Sequence, residues 1–235
     1  MNYHYEKCTL CPRNCGADRR SGAGACRSGV KIRLARAALH FWEEPCISGK
    51  EGSGAVFFSG CPLNCLFCQN ESVSHENFGR DVTPERLAGI FRELENAGAA
   101  NINLVTPTHW AAEIRSALDL FRPGIPILYN CGGYESTETL RMLEGYVDVY
   151  LPDIKYADAE LARKLSGVEN YPDTAFAAVS EMLRQVGNPV TDDRGMIRKG
   201  VLIRHMVLPL HVKDSCRVMD RIVSEFGTEI GRAHV

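Results

Sequence analysis

The stretch Ala55-Val56-Phe57-Phe58-Ser59-Gly60-Cys61-Pro62-Leu63-Asn64-Cys65-Leu66-Phe67-Cys68 decides how the rest of the chain is read. Its first half is a short apolar run closed by Ser-Gly, the composition of a buried strand. Its second half places three cysteines at C-x3-C-x2-C spacing in a loop directly after that strand. Three thiolates on a cubane 4Fe-4S cluster leave one iron without a protein ligand, free to bind a substrate or cofactor. Structural zinc is the alternative for a thiolate loop. It takes a closed set of four and usually pairs its ligands as C-x2-C hairpins, which one x3 gap followed by one x2 gap fits poorly.

Outward from the loop, 235 residues with 45% hydrophobic content suffice for a full core. The start, Met1-Asn2-Tyr3-His4-Tyr5-Glu6, lacks a basic region followed by an apolar run, and no long apolar stretch follows. No secretory signal or membrane span is therefore expected, and the location expected is cytoplasmic. In such a reducing compartment the 10 cysteines are better read as metal ligands than as a disulfide framework. The net charge of -2 conceals an asymmetry, because residues 1–40 hold 8 Lys and Arg against 2 Asp and Glu. A basic arm suits an acidic protein or a nucleic acid, but a solvated face is the commoner reason for one, and nucleic acid is not the partner expected.

From residue 55 onward apolar strands alternate with amphipathic helices, the pattern of a parallel sheet with crossover helices. Strands are expected over residues 55–59, 101–105, 126–130, 147–154 and 201–208. The best helix signal has Thr83 as N-cap and Pro84 behind it, sets Leu87, Ile90, Phe91 and Leu94 on one face, and stops at Gly98. Further helices are expected over 110–121, 136–143, 158–167, 172–186 and 214–226. The fold expected is α/β, an open partial parallel (β/α) barrel over residues 51–228 with a cysteine-rich amino-terminal appendage over 1–50. Residues 229–235 follow the last helix with no sixth strand expected, leaving the last strand edge uncovered. They resemble the translation of a sequencing-library adapter. The barrel is therefore expected to be truncated at its carboxyl end, with a non-native tail.

Functional residues of parallel α/β barrels sit at the carboxyl ends of the strands. Those ends carry Thr106-Pro107-Thr108-His109, Asn130-Cys131, Asp153-Ile154-Lys155 and Arg204-His205. Four polar ends converging on one mouth call for a ligand, because buried polar groups must find partners. Strand alternation puts Asp153 and Lys155 on one face. Cys8, Cys11, Cys15 and Cys26 form a second thiolate set, a closed quartet that suits structural zinc or a fully ligated cluster relaying electrons, and the spacing leaves both open. Cys46 either substitutes for one of these or is a buried thiol. Cys131 reads as a packed thiol more readily than as a group facing substrate, and Cys216 as core filler.

The cysteine loop with Phe67 and the following Gln69-Asn70 resembles the signature of the radical S-adenosylmethionine (SAM) enzymes, in which SAM chelates the open iron. Further likeness lies in Cys8-Thr9-Leu10-Cys11-Pro12-Arg13-Asn14-Cys15-Gly16, Glu43-Glu44-Pro45-Cys46-Ile47-Ser48-Gly49 and Asp153-Ile154-Lys155. Over residues 5–226 the chain thereby resembles the glycyl-radical-enzyme activating enzymes, typified by the pyruvate formate-lyase activating enzyme, within a separate branch of that group. The resemblance implies a partial barrel of the radical SAM type with a 4Fe-4S cluster on Cys61, Cys65 and Cys68. It implies reductive cleavage of SAM, hydrogen abstraction from a glycine of a partner enzyme, and an electron donor such as flavodoxin or ferredoxin. It also implies SAM-site roles for Asn130, Asp153, Lys155, Arg204 and His205, with Phe67 and Asn70 beside the cofactor. Activating enzymes hold the SAM amino group with a Gly-Gly-Glu turn after the second strand. Thr106-Pro107-Thr108-His109 stands in its place, so Thr106 or His109 is expected to make that contact. A radical SAM enzyme acting on a small molecule or RNA is the alternative reading, and a non-catalytic metal-binding or redox module a second.

Overall fold

The computed structural model of the chain describes residues 5–234, so residues 1–4 and Val235 of the tail lie outside it. Its strands are β1 (Ile32–His40), β2 (Ser53–Phe58), β3 (Arg80–Val82), β4 (Ile102–Val105), β5 (Ile127–Cys131), β6 (Val149–Pro152), β7 (Val190–Thr191), β8 (Ile197–His205) and β9 (Gly231–His234). Its helices are α1 (Pro45–Ser48), α2 (Glu71–Ser74), α3 (Pro84–Asn96), α4 (Ala111–Leu120), α5 (Thr137–Met142), α6 (Ala159–Ser166), α7 (Tyr171–Val186) and α8 (Val212–Phe226). The sheet order is β3-β1-β2-β4-β5-β6-β8-β7, with β9 also on β8. Strands β2, β4, β5, β6, β8 and β9 are parallel, while β1 and β7 pair antiparallel with their neighbours. The fold is thus the expected partial (β/α) barrel, and it is not closed.

Two apolar layers cover the outer face. Thr83 accepts a hydrogen bond from Arg86 N and Pro84 fills the first turn, so α3 starts where its capping chemistry dictates. Leu87, Ile90, Phe91 and Leu94 then bury against Val56, Phe58, Ile102 and Leu104, each such side chain contributing about 1.5–3 kcal/mol. Helices α7 and α8 bring Phe176, Val179, Val218 and Ile222 onto Tyr129, Tyr150, Val201 and Ile203. On the opposite, concave face Leu128, Val149, Leu151 and Leu202 close around Ile47 of α1. Asn101 Nδ2 anchors that plug by donating to Ile47 O at 2.8 Å.

Three features differ from expectation. Residues 32–40, assigned from sequence to the amino-terminal segment, form β1, which pairs with β2 from Leu34 to His40 and carries β3. The strand expected over 201–208 begins earlier, at Ile197, because the Asp192 carboxylate accepts from Arg194 N and Met196 N and folds β7 back on it. The tail also forms a sixth parallel strand, correcting the expectation that β8 ends the run with a bare edge. Leu202 to His205 pair in register with Gly231 to His234, and Ile230 is buried among the α8 contacts. Backbone pairing is nearly blind to side chains, so a free edge recruits whatever segment follows the last helix.

Candidate active site at the carboxyl end of the sheet

Strand β2 ends at Phe58 and delivers the cysteine loop to the mouth of the barrel. Gly60 makes the exit, with φ +84 and so little room that a Cβ would stand 2.5 Å from both Cys26 O and Ser28 Oγ. Helix α6 then holds the loop by its carboxyl end. Leu66 N donates to Leu165 O at 2.9 Å and Asn64 N to Ser166 O at 3.0 Å, satisfying carbonyls that a helix terminus leaves free. Cys65 Sγ lies 2.9 Å from Ser166 Oγ, which is also 2.7 Å from Tyr156 Oη. Cys61, Cys65, Phe67 and Cys68 together rest on one apolar cluster with Leu63, Tyr134, Tyr156, Tyr171 and Leu208. Burial, with the neighbouring Cys65 and Cys68 adding to it, pushes the Cys61 thiol up to about 12, so this sulfur becomes a thiolate only against a cationic partner.

Beneath the loop the concave face carries a charged layer. Lys155 Nζ sits 2.6 Å from Asp153 Oδ2, and Arg204 Nε 3.3 Å from Asp153 Oδ1. Arg204 also donates to Asn130 Oδ1 and reaches within 3.6 Å of Glu43 Oε2. Asn103 Nδ2 on β4 donates to the other Glu43 oxygen at 3.1 Å. A flat sheet would hold β4 and β8 about 14 Å apart, so one glutamate reaching groups from both shows how tightly the sheet curls. Burial opposes the Asp153 charge, but Lys155 and Arg204 outweigh it and hold the carboxyl below its usual value. Burial would likewise lower Lys155, yet Asp153 and then Cys65 raise it, so this ammonium stays charged beside the cysteine loop. Tyr171 Oη braces the layer from below, 2.8 Å from Gly132 O and Asp153 O, and accepts from Lys155 N at 3.0 Å.

The remaining candidates divide between this layer and the outer face. Asn130, Asp153, Lys155 and Arg204 are brought together. Thr106, at the end of β4, donates its N–H to Asn130 O at 2.9 Å and has φ +58, a left-handed conformation that is a genuine outlier for a β-branched residue. Asn70 is exposed at the start of α2, and Phe67 lies edge-on to Tyr156 with centroids 6.5 Å apart. His109 and His205 are not brought to the layer. His205 follows Ile203 by strand alternation to the helix-covered face, buried, with Nδ1 2.6 Å from Ile154 O. His109 is buried behind the exit of β2, Nε2 2.8 Å from Ser59 O, and burial lowers it to about 3. Cys131 is packed in the outer core, its thiol pushed well up by burial. Asn103, Tyr171 and Ser166 escaped the sequence reading, and Glu43 entered it only within the quoted stretch Glu43-Glu44-Pro45-Cys46-Ile47-Ser48-Gly49, with no role assigned. For the other three the one local signal was Asn103 itself, a polar residue in the middle of the apolar strand β4.

The amino-terminal arm packs directly on the loop. Arg13 Nε donates to Pro62 O at 2.7 Å, Arg27 Nη2 to Asn64 Oδ1 at 2.6 Å, and Cys61 N to Cys26 O at 3.3 Å. Arg20 pairs with Glu6 and Asp18. Much of the arm's positive charge is therefore engaged within the protein. No described helix is long and apolar enough to cross a membrane.

A curled parallel sheet with a three-cysteine loop after its first parallel strand and a charged layer below defines a partial (β/α) barrel protein built to hold a thiolate-ligated cofactor. The chain belongs to the radical SAM superfamily, whose sequence profile matches residues 55–209. It is similar to the uncharacterized protein MJ0674 of Methanocaldococcus jannaschii, 29% identical over 221 residues, which are 90% of this chain and 60% of that protein. Among solved structures it is similar in fold to SuiB of Streptococcus suis, with TM-score 0.51 and 13% identity over 77% of this chain and 38% of SuiB. SuiB bound to S-adenosylmethionine gives 0.50 at 15% identity, over 74% of this chain and 36% of that one. SuiB bound to precursor peptide SuiA gives 0.52 at 14% identity, over 74% and 37%.

The family implies a 4Fe-4S cluster and SAM, and the residues present fit both. The loop supplies three sulfurs with a cation beside them. On the concave face Asn103 Oδ1 is buried with no hydrogen-bond partner, an acceptor that a ligand would satisfy. Among the described residues no three His, Cys, Asp or Glu side chains converge as ligands of one ion. A cubane does not require that, since its thiolates bind separate irons.

Proposed function

We propose that this protein cleaves SAM reductively and abstracts a hydrogen atom from a partner polypeptide, a glycyl-radical enzyme being the partner its sequence favours. The observation that carries the reading is the three-thiol loop set over a layer in which Lys155 faces Cys65. When bound and reduced, the cluster supplies the single electron for that cleavage. Cys61, Cys65 and Cys68 hold it, and the carboxyl end of α6 fixes where they point. Arg204 and Lys155 are the cations for the SAM carboxylate, and Asp153 is the counter-charge that keeps both oriented. Asn103, Asn130 and Thr106 supply acceptors for the ammonium and ribose hydroxyls, and Phe67 an apolar wall for the adenine. A precursor peptide is also what SuiB holds in one of its structures. The arginines of the arm, engaged in internal contacts, weaken the case for RNA. The quartet Cys8, Cys11, Cys15 and Cys26 is a second metal site, zinc or iron–sulfur, and a flavodoxin or ferredoxin is the electron source.

The test is anaerobic reconstitution of the parent and of Cys65→Ala. The parent should gain a cluster whose electron paramagnetic resonance signal changes on SAM addition, and should form 5'-deoxyadenosine under dithionite. The variant should do neither. SAM cleavage by Cys65→Ala overturns the assignment of the loop. A glycine-centred radical in a candidate partner enzyme, formed only with SAM and the parent protein, supports the finer reading.

A further inference from the structure

We propose that Ser166 donates a hydrogen bond to the Cys65 sulfur, with Tyr156 as its positioning residue, and that this hydroxyl pair raises the reduction potential of the cluster on the cysteine loop. One premise rests on the function proposed above, namely that Cys65 is a cluster ligand. The rest follows from placement, proton counting and packing.

The hydroxyl is held in place by its own backbone. Ser166 is the last residue of α6, and its carbonyl accepts from Asn64 N at 3.0 Å while that of Leu165 accepts from Leu66 N at 2.9 Å. Asn64 and Leu66 flank Cys65 in sequence, so the helix end grips the loop on both sides of that cysteine. Ser166 Oγ then lies 2.9 Å from Cys65 Sγ. A serine inside a helix often turns its hydroxyl back onto the carbonyl four residues earlier, but this one is directed at the sulfur and at Tyr156 Oη, 2.7 Å away. Ser166 and Tyr156 are both fully buried. Tyr156 is fixed in turn by edge-on contacts with Phe67 and Tyr171, their ring centroids 6.5 and 5.3 Å from its own.

Counting hydrogens fixes the direction of the pair. A cysteine binds iron as the thiolate, which carries no hydrogen and can only accept. Ser166 has one hydroxyl hydrogen, and it goes to Cys65. The serine oxygen then has only lone pairs left for Tyr156, so the phenol donates to it. Each donor polarises the next, which makes the serine a better donor than it would be alone. No bond breaks and no proton is transferred.

Among the described residues Cys65 is the one loop sulfur with a side-chain hydrogen bond, whereas Cys61 Sγ takes the backbone N–H of Leu63 at 3.4 Å. Lys155, the cation beside the loop, gives its own hydrogen bond to Asp153 at 2.6 Å. Hydrogen bonds to the sulfurs are one of the factors that set a cluster's potential. A donor draws charge from the sulfur and so favours the reduced, more negative state. Packing alone does not call for the pair. Alanine and phenylalanine would fill the same space with no buried polar atom left over, an exchange that is about neutral for stability.

The experiment is a redox titration of the reconstituted full chain, following the electron paramagnetic resonance signal that is absent from Cys65→Ala. In Ser166→Ala the one-electron equilibrium should shift toward the oxidised cluster by about tenfold, which is about 59 mV. Tyr156→Phe should shift it the same way but less. The double variant should match Ser166→Ala, because Tyr156 acts only through Ser166, and its unfolding midpoint should stay near that of the parent. Electron–nuclear double resonance in heavy water should show one exchangeable-proton coupling of the parent missing from Ser166→Ala. An unshifted potential in Ser166→Ala, or additive shifts in the double variant, overturns the proposal. Should Ser166→Ala load no iron, Tyr156→Phe decides, a lower potential supporting the pair and an unchanged one overturning it. A parent chain that loads no cluster dependent on Cys65 overturns the functional reading and this inference together, whereas a loaded cluster of unshifted potential overturns the inference alone.

Discussion

Glu135 illustrates how much chemistry a single buried group sets. Its oxygens accept from Thr108 Oγ1 at 2.7 Å and Tyr129 Oη at 2.8 Å, yet burial outweighs both and raises the carboxyl to about 7. An unfolded glutamate titrates near 4.3, so between those values the folded state binds a proton that the unfolded state does not. Stability from this group is therefore fully present at low pH and declines as pH rises toward 7, by about 4 kcal/mol in all. Glu135→Gln keeps an acceptor and cannot ionise. Urea unfolding at about pH 5 and pH 8 should show the variant gaining about 3 kcal/mol on the parent between the two. A parallel pH dependence would show that Glu135 is ionised throughout. Thr106 marks a different local cost, since its left-handed backbone amounts to about 1–2 kcal/mol of strain held at the mouth of the site.

At the scale of elements, the ends of β6 and β8 are joined by backbone and by charge together, with Ile154 N donating to Arg204 O at 2.8 Å beside the Asp153–Arg204 ion pair. Their ladder is short, from Val149 and Tyr150 to Gly200 and Val201, with one further bridge between Asp153 and Arg204. Asp153 lies between Lys155 and Arg204, partly buried, so removing it strands two cations. Single replacement by Asn should cost about 3 kcal/mol or more. In the Asp153→Asn and Lys155→Met cycle the double variant should recover about 1–3 kcal/mol of the summed losses, read from denaturant midpoints. Strict additivity would mean that the pair is not coupled in solution. SAM affinity should fall in all three variants if the layer serves the cofactor.

For the molecule as a whole, the decisive contact is between the amino-terminal arm and the cysteine loop. Gly60 is the point where the two meet, with no space for a methyl group against Cys26 O and a φ that other residues avoid. Gly60→Ala should lower stability by at least about 2 kcal/mol. It should also impair metal loading of both cysteine sets together, because the wedge parts the arm from the loop. Normal stability with full loading would show that the arm is not docked as described.

What the chain determines by itself is short-range. The N-cap at Thr83, the stop at Gly98 and the 3.6-residue apolar stripe of α3 act within a few turns, and the strand-loop-cysteine order around residue 60 is one continuous run. Helix and strand periods, capping and thiol spacing all operate at that range, which is why the α/β class and the cysteine loop were legible. The tertiary structure alone decided which groups meet. Glu43 finds Asn103 across 60 positions and Cys65 finds Ser166 across 101. Arg204 and His205 are adjacent and equally polar, yet strand alternation sends the first to the concave face and the second among the helices. Alternation is visible in sequence, but its phase is set by the curl and register of the whole sheet, and no local pattern carries that information.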